Sequence, residues 1–564
     1  MKRLAPLFLF LIAIGLFGYL LTVNLQPRLE ATDFLPVDTV AMVESRNLAR
    51  TWEAMRQSSI GRKLNKPDFP RILEQIGLPA SRVTEFRLVT AALDRFTTAS
   101  FFAGFFAKDT VIALLSAPQG QVLDAESILG NLVLITPMRS DFSPQLQLEP
   151  YFGPVQSTAT AVYQGVSLVT FIFQSGLTFS FCQHRRLLIC ALDPQSVQRC
   201  IDQSLNRMVQ TRSGLQLNLE YQGIKKRAGG KADFFLYADL PALLRQLPAA
   251  LSAETEEMGG LPHHFAIFHQ ADAEHDRLSI IAQFRQEQLT AFTDHYQLAA
   301  PLENAAGQRV SRETQLYFWT NWFHPKRLWH LGLQMGGRET GELMSFIAQQ
   351  IFDKTGTTVD DFFDVFGNRF GVFMNEQGRP PQTTQSLAGL FIEVRDQQKV
   401  EVMLKQLLDG LQLVKVITGG TEIVSVIMAG GLLSPAYALV DNHLILADSV
   451  GLIEQVQRQG GLKPTSVDKA LVPARDRAEN IFLFVRTKSV AQRLIALLNV
   501  LTKETADPAK ILLPSTRLML EHALIPLLVS LQSVETSSVR GYALGDEMLL
   551  EMDFSANNKE FRIF

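Results

Sequence analysis

The sequence is poor in cysteine and in charge, and it has no long basic block. Its 564 residues include 3 cysteines, too few for a framework of several disulfides. Charged residues make up 19% and hydrophobic residues 47%, which excludes a wholly disordered chain and a coiled coil. The net charge of −3, without a Lys/Arg-rich segment, argues against binding nucleic acid through its phosphates. The length predicts a protein of more than one domain.

The common catalytic motifs are also missing. The sequence has no G-x-x-x-x-G-K-[ST] loop, no H-E-x-x-H and no G-x-S-x-G elbow. These absences do not exclude an enzyme, because a catalytic triad can assemble from residues that are distant in sequence. We identify no catalytic residue and no cofactor-binding residue, and we expect a non-enzymatic protein.

Residues 4–23 form the one long uncharged apolar run. As a helix, 20 residues span about 30 Å, the thickness of the hydrocarbon core of a bilayer. Lys2 and Arg3 precede the run, so the positive-inside rule predicts residues 1–3 in the cytoplasm and the rest in the periplasm. A cleaved signal peptide is the alternative, but the run is long for one and lacks a clean cleavage site. We predict an uncleaved signal anchor and a single-pass protein of the bacterial inner membrane.

Several features recur in the same order along the chain, which indicates an internal duplication. The clearest is a hairpin followed by a helix, at residues 179–202 and again at residues 437–457. The predicted hairpin tips are two-residue turns, Arg185-Arg186 and Asp441-Asn442. The recurrence predicts the α+β class with two homologous halves, each an antiparallel sheet with helices on one face. The halves are residues 33–290 and 311–556, and residues 291–310 are the linker.

These features also carry a resemblance to a known family. Residues 34–52, FLPVDTVAMVESRNLARTW, the Tyr163-x-Gly165 strand and the two hairpin–helix units resemble a bacterial family of N-terminally anchored envelope proteins. That family is known only as a domain of unknown function. The resemblance implies an extracytoplasmic protein and supplies no catalytic residue.

The cysteines have a packing interpretation. A two-residue turn at Arg185-Arg186 places Cys182 opposite Ile189, so that Cys182 and Cys190 lie on opposite faces of the sheet and cannot bond. Cys190 and Cys200 could share the interface between a strand and a helix. We favour buried thiols there, with a Cys190–Cys200 disulfide as the alternative.

Histidines and acids concentrate in one short segment. Its members are His263, His264, His269, Asp272, Glu274, His275 and Asp276. In an extended strand His263 and His269 would project to the same face, and His275 would lie in the turn. A zinc site needs three or four converging ligands, and this spacing does not impose convergence. We therefore predict no metal site, with His263, His269 and His275 as the weak candidates.

Two other polar groups have structural explanations. His324 and His330 are six residues apart, so they do not share a helix face, and we expect both on the surface. Asp360, Asp361 and Asp364 begin a helix that Thr358 caps, which is where acidic residues are favourable.

The function that fits these observations is a scaffold or interaction module of the cell envelope. Its expected partners are the inner membrane, through residues 4–23, and an envelope protein, with no nucleic acid. The alternative is a carrier or binder of lipid or another apolar ligand. It is favoured by 38 Phe against 9 Tyr and 4 Trp, and by apolar helices predicted at residues 490–501 and 518–531.

Overall fold

The computed structural model describes most of the chain between residues 30 and 555. The described ranges are 30–57, 79–98, 102–103, 108–117, 130–137, 153–209, 214–229, 232–246, 262–271, 275–285, 301–302, 314–335, 338–376, 386–428, 434–458, 478–503 and 520–555, with residues 62, 74, 106 and 149.

The structure describes twenty β-strands. The first ten are β1 (Thr39–Ser45), β2 (Thr110–Leu115), β3 (Leu132–Pro137), β4 (Val155–Tyr163), β5 (Val166–Phe173), β6 (Thr178–His184), β7 (Leu187–Ala191), β8 (Phe234–Asp239), β9 (His264–Ala271) and β10 (His275–Gln283). The other ten are β11 (Thr314–Thr320), β12 (Phe366–Glu376), β13 (Ser386–Val394), β14 (Leu413–Thr418), β15 (Thr421–Val426), β16 (Ala436–Val440), β17 (His443–Ala447), β18 (Ile481–Val485), β19 (Thr536–Leu544) and β20 (Glu547–Ser555).

Twelve α-helices lie between the described strands. They are α1 (Leu48–Gln57), α2 (Ala80–Thr98), α3 (Pro194–Val209), α4 (Leu219–Arg227), α5 (Leu240–Gln246), α6 (Pro325–Met335), α7 (Arg338–Thr355), α8 (Val359–Asp364), α9 (Gln397–Leu407), α10 (Val450–Arg458), α11 (Thr487–Lys503) and α12 (Ile525–Leu531). Short 3-10 turns occupy Ala31–Phe34 and Gly214–Leu217, and a π-helical turn at Leu520–Leu524 leads into α12.

The chain divides into two compact units. Unit 1 consists of residues 1–44 and 104–223, and unit 2 of residues 45–103 and 224–564. In unit 1 the strands follow the order β2-β3-β7-β6-β5-β4, and α3 packs against β6 and β7. The side chains of β7 are buried throughout, which makes this strand the centre of the unit's core.

Unit 2 contains a ladder of thirteen antiparallel strands. Their order is β8-β9-β10-β20-β19-β18-β11-β12-β13-β17-β16-β15-β14. The last six of these strands follow the order seen in unit 1, each strand number being larger by ten.

The predicted hairpin turns are confirmed. Arg185, Arg186, Asp441 and Asn442 all have positive φ, between 47° and 68°, as the twist of a two-residue hairpin requires. The tight turns fix the pairing of the strands beside them, so that Cys182 lies opposite Ile189 as the sequence predicts.

The predicted fold class is wrong in its central feature. The two predicted halves do not carry separate sheets, because β10 of the first half pairs along its whole length with β20 of the second, from His275–Ser555 to Gln283–Glu547. In unit 2, strands of both predicted halves therefore belong to one antiparallel ladder. β10 and β20 each have a local signal in the sequence. Their pairing leaves no local signal, because it joins segments that are remote from each other along the chain.

The prediction that the helices lie on one face of the sheet is also wrong for residues 314–555. Phe391 and Ile445 pair across β13 and β17 and belong to a core cluster that includes Leu452 and Ile453 of α10. The neighbouring pair, Ile392 with Leu444, points to the opposite face and belongs to a cluster that includes residues of α8 and α9. The sheet is therefore covered on both faces here.

The membrane prediction is corrected as well. Among the residues that the structure describes, none of the helices has the length and apolar character needed to cross a membrane. The predicted anchor, residues 4–23, lies outside those residues. The finding contradicts the single-pass anchor and the inner-membrane location that depended on it.

Candidate functional site

The structure does not bring together the three histidines that were the weak candidates for a metal site. His269 is buried in the middle of β9, with its Nε2 atom 3.7 Å from Oδ1 of Asp276 on β10. His275 begins β10, and its side chain lies outside the described part of the structure, as do Asp272 and Glu274. His263 directly precedes the first residue of β9. The three weak candidates, His263, His269 and His275, are thus spread along a hairpin.

A different group of ligand-type side chains converges at the end of β8. Asp239, His263 and His264 each offer one ligand atom, and these atoms all lie within 4.8 Å of one another. Asp239 is the last residue of β8 and pairs across the ladder with His264, the first residue of β9. His263 lies in the bend before β9, so the alternation of side chains along a strand does not apply to it. This bend explains why a strand pattern did not predict the group.

Hydrogen bonds orient the members of this group. Nδ1 of His264 lies 3.0 Å from the hydroxyl oxygen of the buried Tyr237, and the two rings are stacked. The other nitrogen of His264, Nε2, lies 2.9 Å from Nδ1 of His263. Oδ1 of Asp239 accepts a hydrogen bond from the backbone N–H of Ala242 at 2.9 Å and so caps α5. All three side chains are held by contacts with residues near the same strand ends.

The cysteines are buried free thiols, as the packing interpretation expects. Burial raises the pKa of Cys182 to about 12, and it also raises the pKa of Cys190 and of Cys200. Because the thiolate is the nucleophilic form, these side chains are unreactive near neutral pH.

Polar side chains of α6 and α8 line a cavity of about 380 Å³. Its lining consists of His324, Lys326, Arg327, His330, Asp364 and Arg395. Nζ of Lys326 lies 3.2 Å from Oδ1 of Asp364, and Nε2 of His330 lies 2.9 Å from Oδ1 of Asp360. These pairs connect α6 to both ends of α8, so Asp360 and Asp364 have a structural role beyond the cap at Thr358.

His324 is buried, so the expectation that it lies on the surface is wrong. It precedes α6, and its Nε2 atom is 3.1 Å from the carbonyl oxygen of Phe366. Burial lowers its pKa, with Arg395 acting in the same direction. His324 and His330 line the same cavity because one lies before the helix and the other on it, an arrangement that spacing along a single helix does not predict.

An apolar stripe on α7 is exposed. Phe346 is 62% exposed and Leu343 59% exposed, and Ile347 lies beside them by helical spacing. We call these three residues the α7 apolar face. The inner side of the helix holds Met344 and the buried Ile351, and it packs toward α6, α8 and α9.

A second set of exposed apolar side chains lies on α11 and near α12, two helices that contact each other. Its members are Leu494, Leu497, Leu524, Leu527 and Val529. These helices overlap the segments predicted to be apolar. They are packed on one side only, since Ala491 and Leu528 are buried while their neighbours are exposed.

Comparison of the chain with family models, with curated proteins and with solved structures finds no match. The resemblance to the anchored envelope family therefore stays a prediction.

Proposed function

We propose that the chain is a non-enzymatic interaction module that binds a partner protein through the α7 apolar face. The exposure of Phe346 and Leu343 is the observation that carries this proposal. Large apolar side chains exposed together on a soluble surface are typical of interaction sites.

The geometry of α7 favours a narrow groove as the partner's binding surface. Leu343, Phe346 and Ile347 follow the i, i+3, i+4 spacing by which a helix inserts side chains into such a groove. The buried Ile351 and the contacts of α7 with α6, α8 and α9 hold the helix in place, so the face is presented by a rigid support. Little conformational entropy is lost when a preorganised surface of this kind binds.

The charges beside the face favour a protein over an anionic lipid surface. Glu342 and Asp353 lie on the same side of the helix as Phe346, since they are four residues before it and seven residues after it. Acidic side chains at this border would be repelled by anionic lipid headgroups. A partner with an apolar groove and basic residues at its rim fits both features.

Binding of an apolar ligand is the second candidate. It is favoured by the exposed leucines of α11 and the residues near α12, because these helices contact each other and both present apolar side chains. A fatty acid or similar chain lying along the two helices would cover this surface.

Native mass spectrometry of the full chain, isolated without denaturant from its own cells, tests the proposal. We expect a complex of fixed stoichiometry with a second protein. Phe346→Arg should weaken it by about 30-fold or more, the loss typical of a central aromatic contact. Phe352→Arg is the matched control, because Phe352 is also exposed (52%) but projects from a different side of α7.

A complex that persists unchanged in Phe346→Arg would contradict the proposal. A bound mass equal to a fatty acid or phospholipid, with no bound protein, would favour the second candidate.

A further inference from the structure

We infer that Asp239, His263 and His264 form a binding site for a divalent metal ion of the zinc type. This inference is independent of the proposed function, because none of the three residues belongs to the α7 apolar face.

The first argument is convergence. One carboxylate oxygen and two imidazole nitrogens lie within 4.8 Å of one another, although Asp239 is on a different strand from His264. The ring nitrogens of His263 and His264 are 2.9 Å apart. Two nitrogens bound to one tetrahedral zinc ion are about 3.3 Å apart, given zinc–nitrogen bonds of about 2.0–2.1 Å. The two imidazole nitrogens therefore need to move apart by only a few tenths of an ångström to bind one ion.

The second argument is the orientation of His264. A histidine that binds a metal through one nitrogen uses the other for a hydrogen bond that fixes its ring and tautomer. Tyr237 supplies this partner, because its buried hydroxyl lies 3.0 Å from Nδ1 of His264. With Nδ1–H donating to that hydroxyl, Nε2 carries its lone pair toward His263.

The third argument is that the backbone holds the other two ligands in place. The backbone N–H of His263 donates to the carbonyl oxygen of Gln283, and its own carbonyl oxygen accepts from the N–H of Leu240. The carboxylate of Asp239 is fixed by its cap contact with Ala242 through Oδ1. The second carboxylate oxygen is then the one that serves as a ligand.

The donor set indicates the class of ion. Imidazole is a good ligand for zinc and for the neighbouring first-row metals, and a carboxylate adds the negative charge that a divalent ion favours. Three protein ligands leave the fourth tetrahedral position to water. The competing explanation is a plain hydrogen bond between His263 and His264, in which a proton takes the place of the ion.

Metal titration of the full chain distinguishes the two explanations. The chain is first treated with a chelator and then titrated with zinc by calorimetry and with cobalt(II) by visible absorption. We expect one zinc ion per chain at this site and a cobalt spectrum of low coordination number. Asp239→Asn should weaken zinc binding by about 100-fold or more. The amide oxygen of that variant keeps the cap on α5, so the loss reports on the ligand rather than on the fold.

Two further variants complete the test. Tyr237→Phe should weaken zinc binding by about 10–100-fold with one site retained, because it removes only the group that orients His264. His330→Gln is the matched control, since His330 lies on α6 outside the site, and it should bind zinc like the wild type. The inference is overturned if the wild type binds no stoichiometric zinc, or if Asp239→Asn binds it as tightly as the wild type does.

Discussion

At the scale of single residues, Glu479 has an environment that opposes its charge. It is only 8% exposed, and its Oε2 atom has no hydrogen-bond partner among the described residues. Burial raises the pKa of Glu479 to about 7, with Arg540 opposing the rise and Glu551 adding to it. The folded chain therefore favours the protonated acid, whereas the unfolded chain ionises at its ordinary pKa.

This shift predicts how stability depends on pH. The contribution of Glu479 is fully present below the unfolded pKa of about 4.5 and is lost as the pH rises through about 7. Glu479→Gln, which stays neutral, should match the wild type at pH 4.5 and be about 3 kcal/mol more stable at pH 8. Scanning calorimetry at the two pH values measures the difference as a higher melting temperature of the variant at pH 8 only.

The control for this prediction is Glu401→Gln on the exposed side of α9, which should change stability by less than about 0.5 kcal/mol at either pH. Equal melting temperatures of Glu479→Gln and the wild type at pH 8 would show that Glu479 is ionised in the folded chain at no cost.

Residue identity alone could not predict the candidate metal site. The sequence singles out the histidine-rich segment, and His263 and His264 are in it. Asp239 lies outside that segment and reaches it only through the pairing of β8 with β9. The choice of His264 over His269 depends on the bend at residue 263, which the strand pattern does not show.

At the scale of elements, the β12–β13 ladder depends on two glycines that face aromatic rings. Gly371 pairs with Phe391, and Phe373 pairs with Gly389. A Cβ atom at Gly389 would overlap the ring of Phe373, and one at Gly371 would overlap the carbonyl oxygen of Phe318. The missing side chains make room for the two rings, which belong to the main core cluster of this region.

Gly389→Ala should therefore destabilise the chain by about 2 kcal/mol, as overpacking of a core does. Gly451→Ala is the matched control, because a Cβ atom there, on α10, would meet nothing within 4 Å. It should leave stability unchanged or raise it by up to about 1 kcal/mol. Chemical denaturation of both variants beside the wild type measures the two effects. A Gly389→Ala variant as stable as Gly451→Ala would contradict this account of the ladder.

Local patterns predicted the elements better than their packing. The hairpin turns at Arg185-Arg186 and Asp441-Asn442, and the register beside Cys182, follow from short-range turn chemistry and are confirmed. The burial of His324 and the covering of both sheet faces were not predicted. Both depend on which elements meet in three dimensions. In addition, a strand that is buried on both faces shows only weak alternation of apolar and polar residues.

At the scale of the whole molecule, the sheet joins segments that the sequence separates. The β10–β20 ladder overturned the prediction of one sheet per half. The sheet also serves as the support for helices, such as α10 on one face and α9 on the other, that occupy its surfaces. The α7 apolar face is one of the helix surfaces that stay exposed, and it is the surface on which our proposed function depends.

Photo-cross-linking of the full chain in its own cells tests that proposal most directly. A photoreactive phenylalanine analogue replaces Phe346 in one variant and Phe352 in another, two positions of similar exposure on different sides of α7. The account predicts a single protein adduct of defined mass from position 346, none from position 352, and loss of the adduct when Leu343→Arg is added. Equal adducts from both positions, or none from position 346, would contradict it.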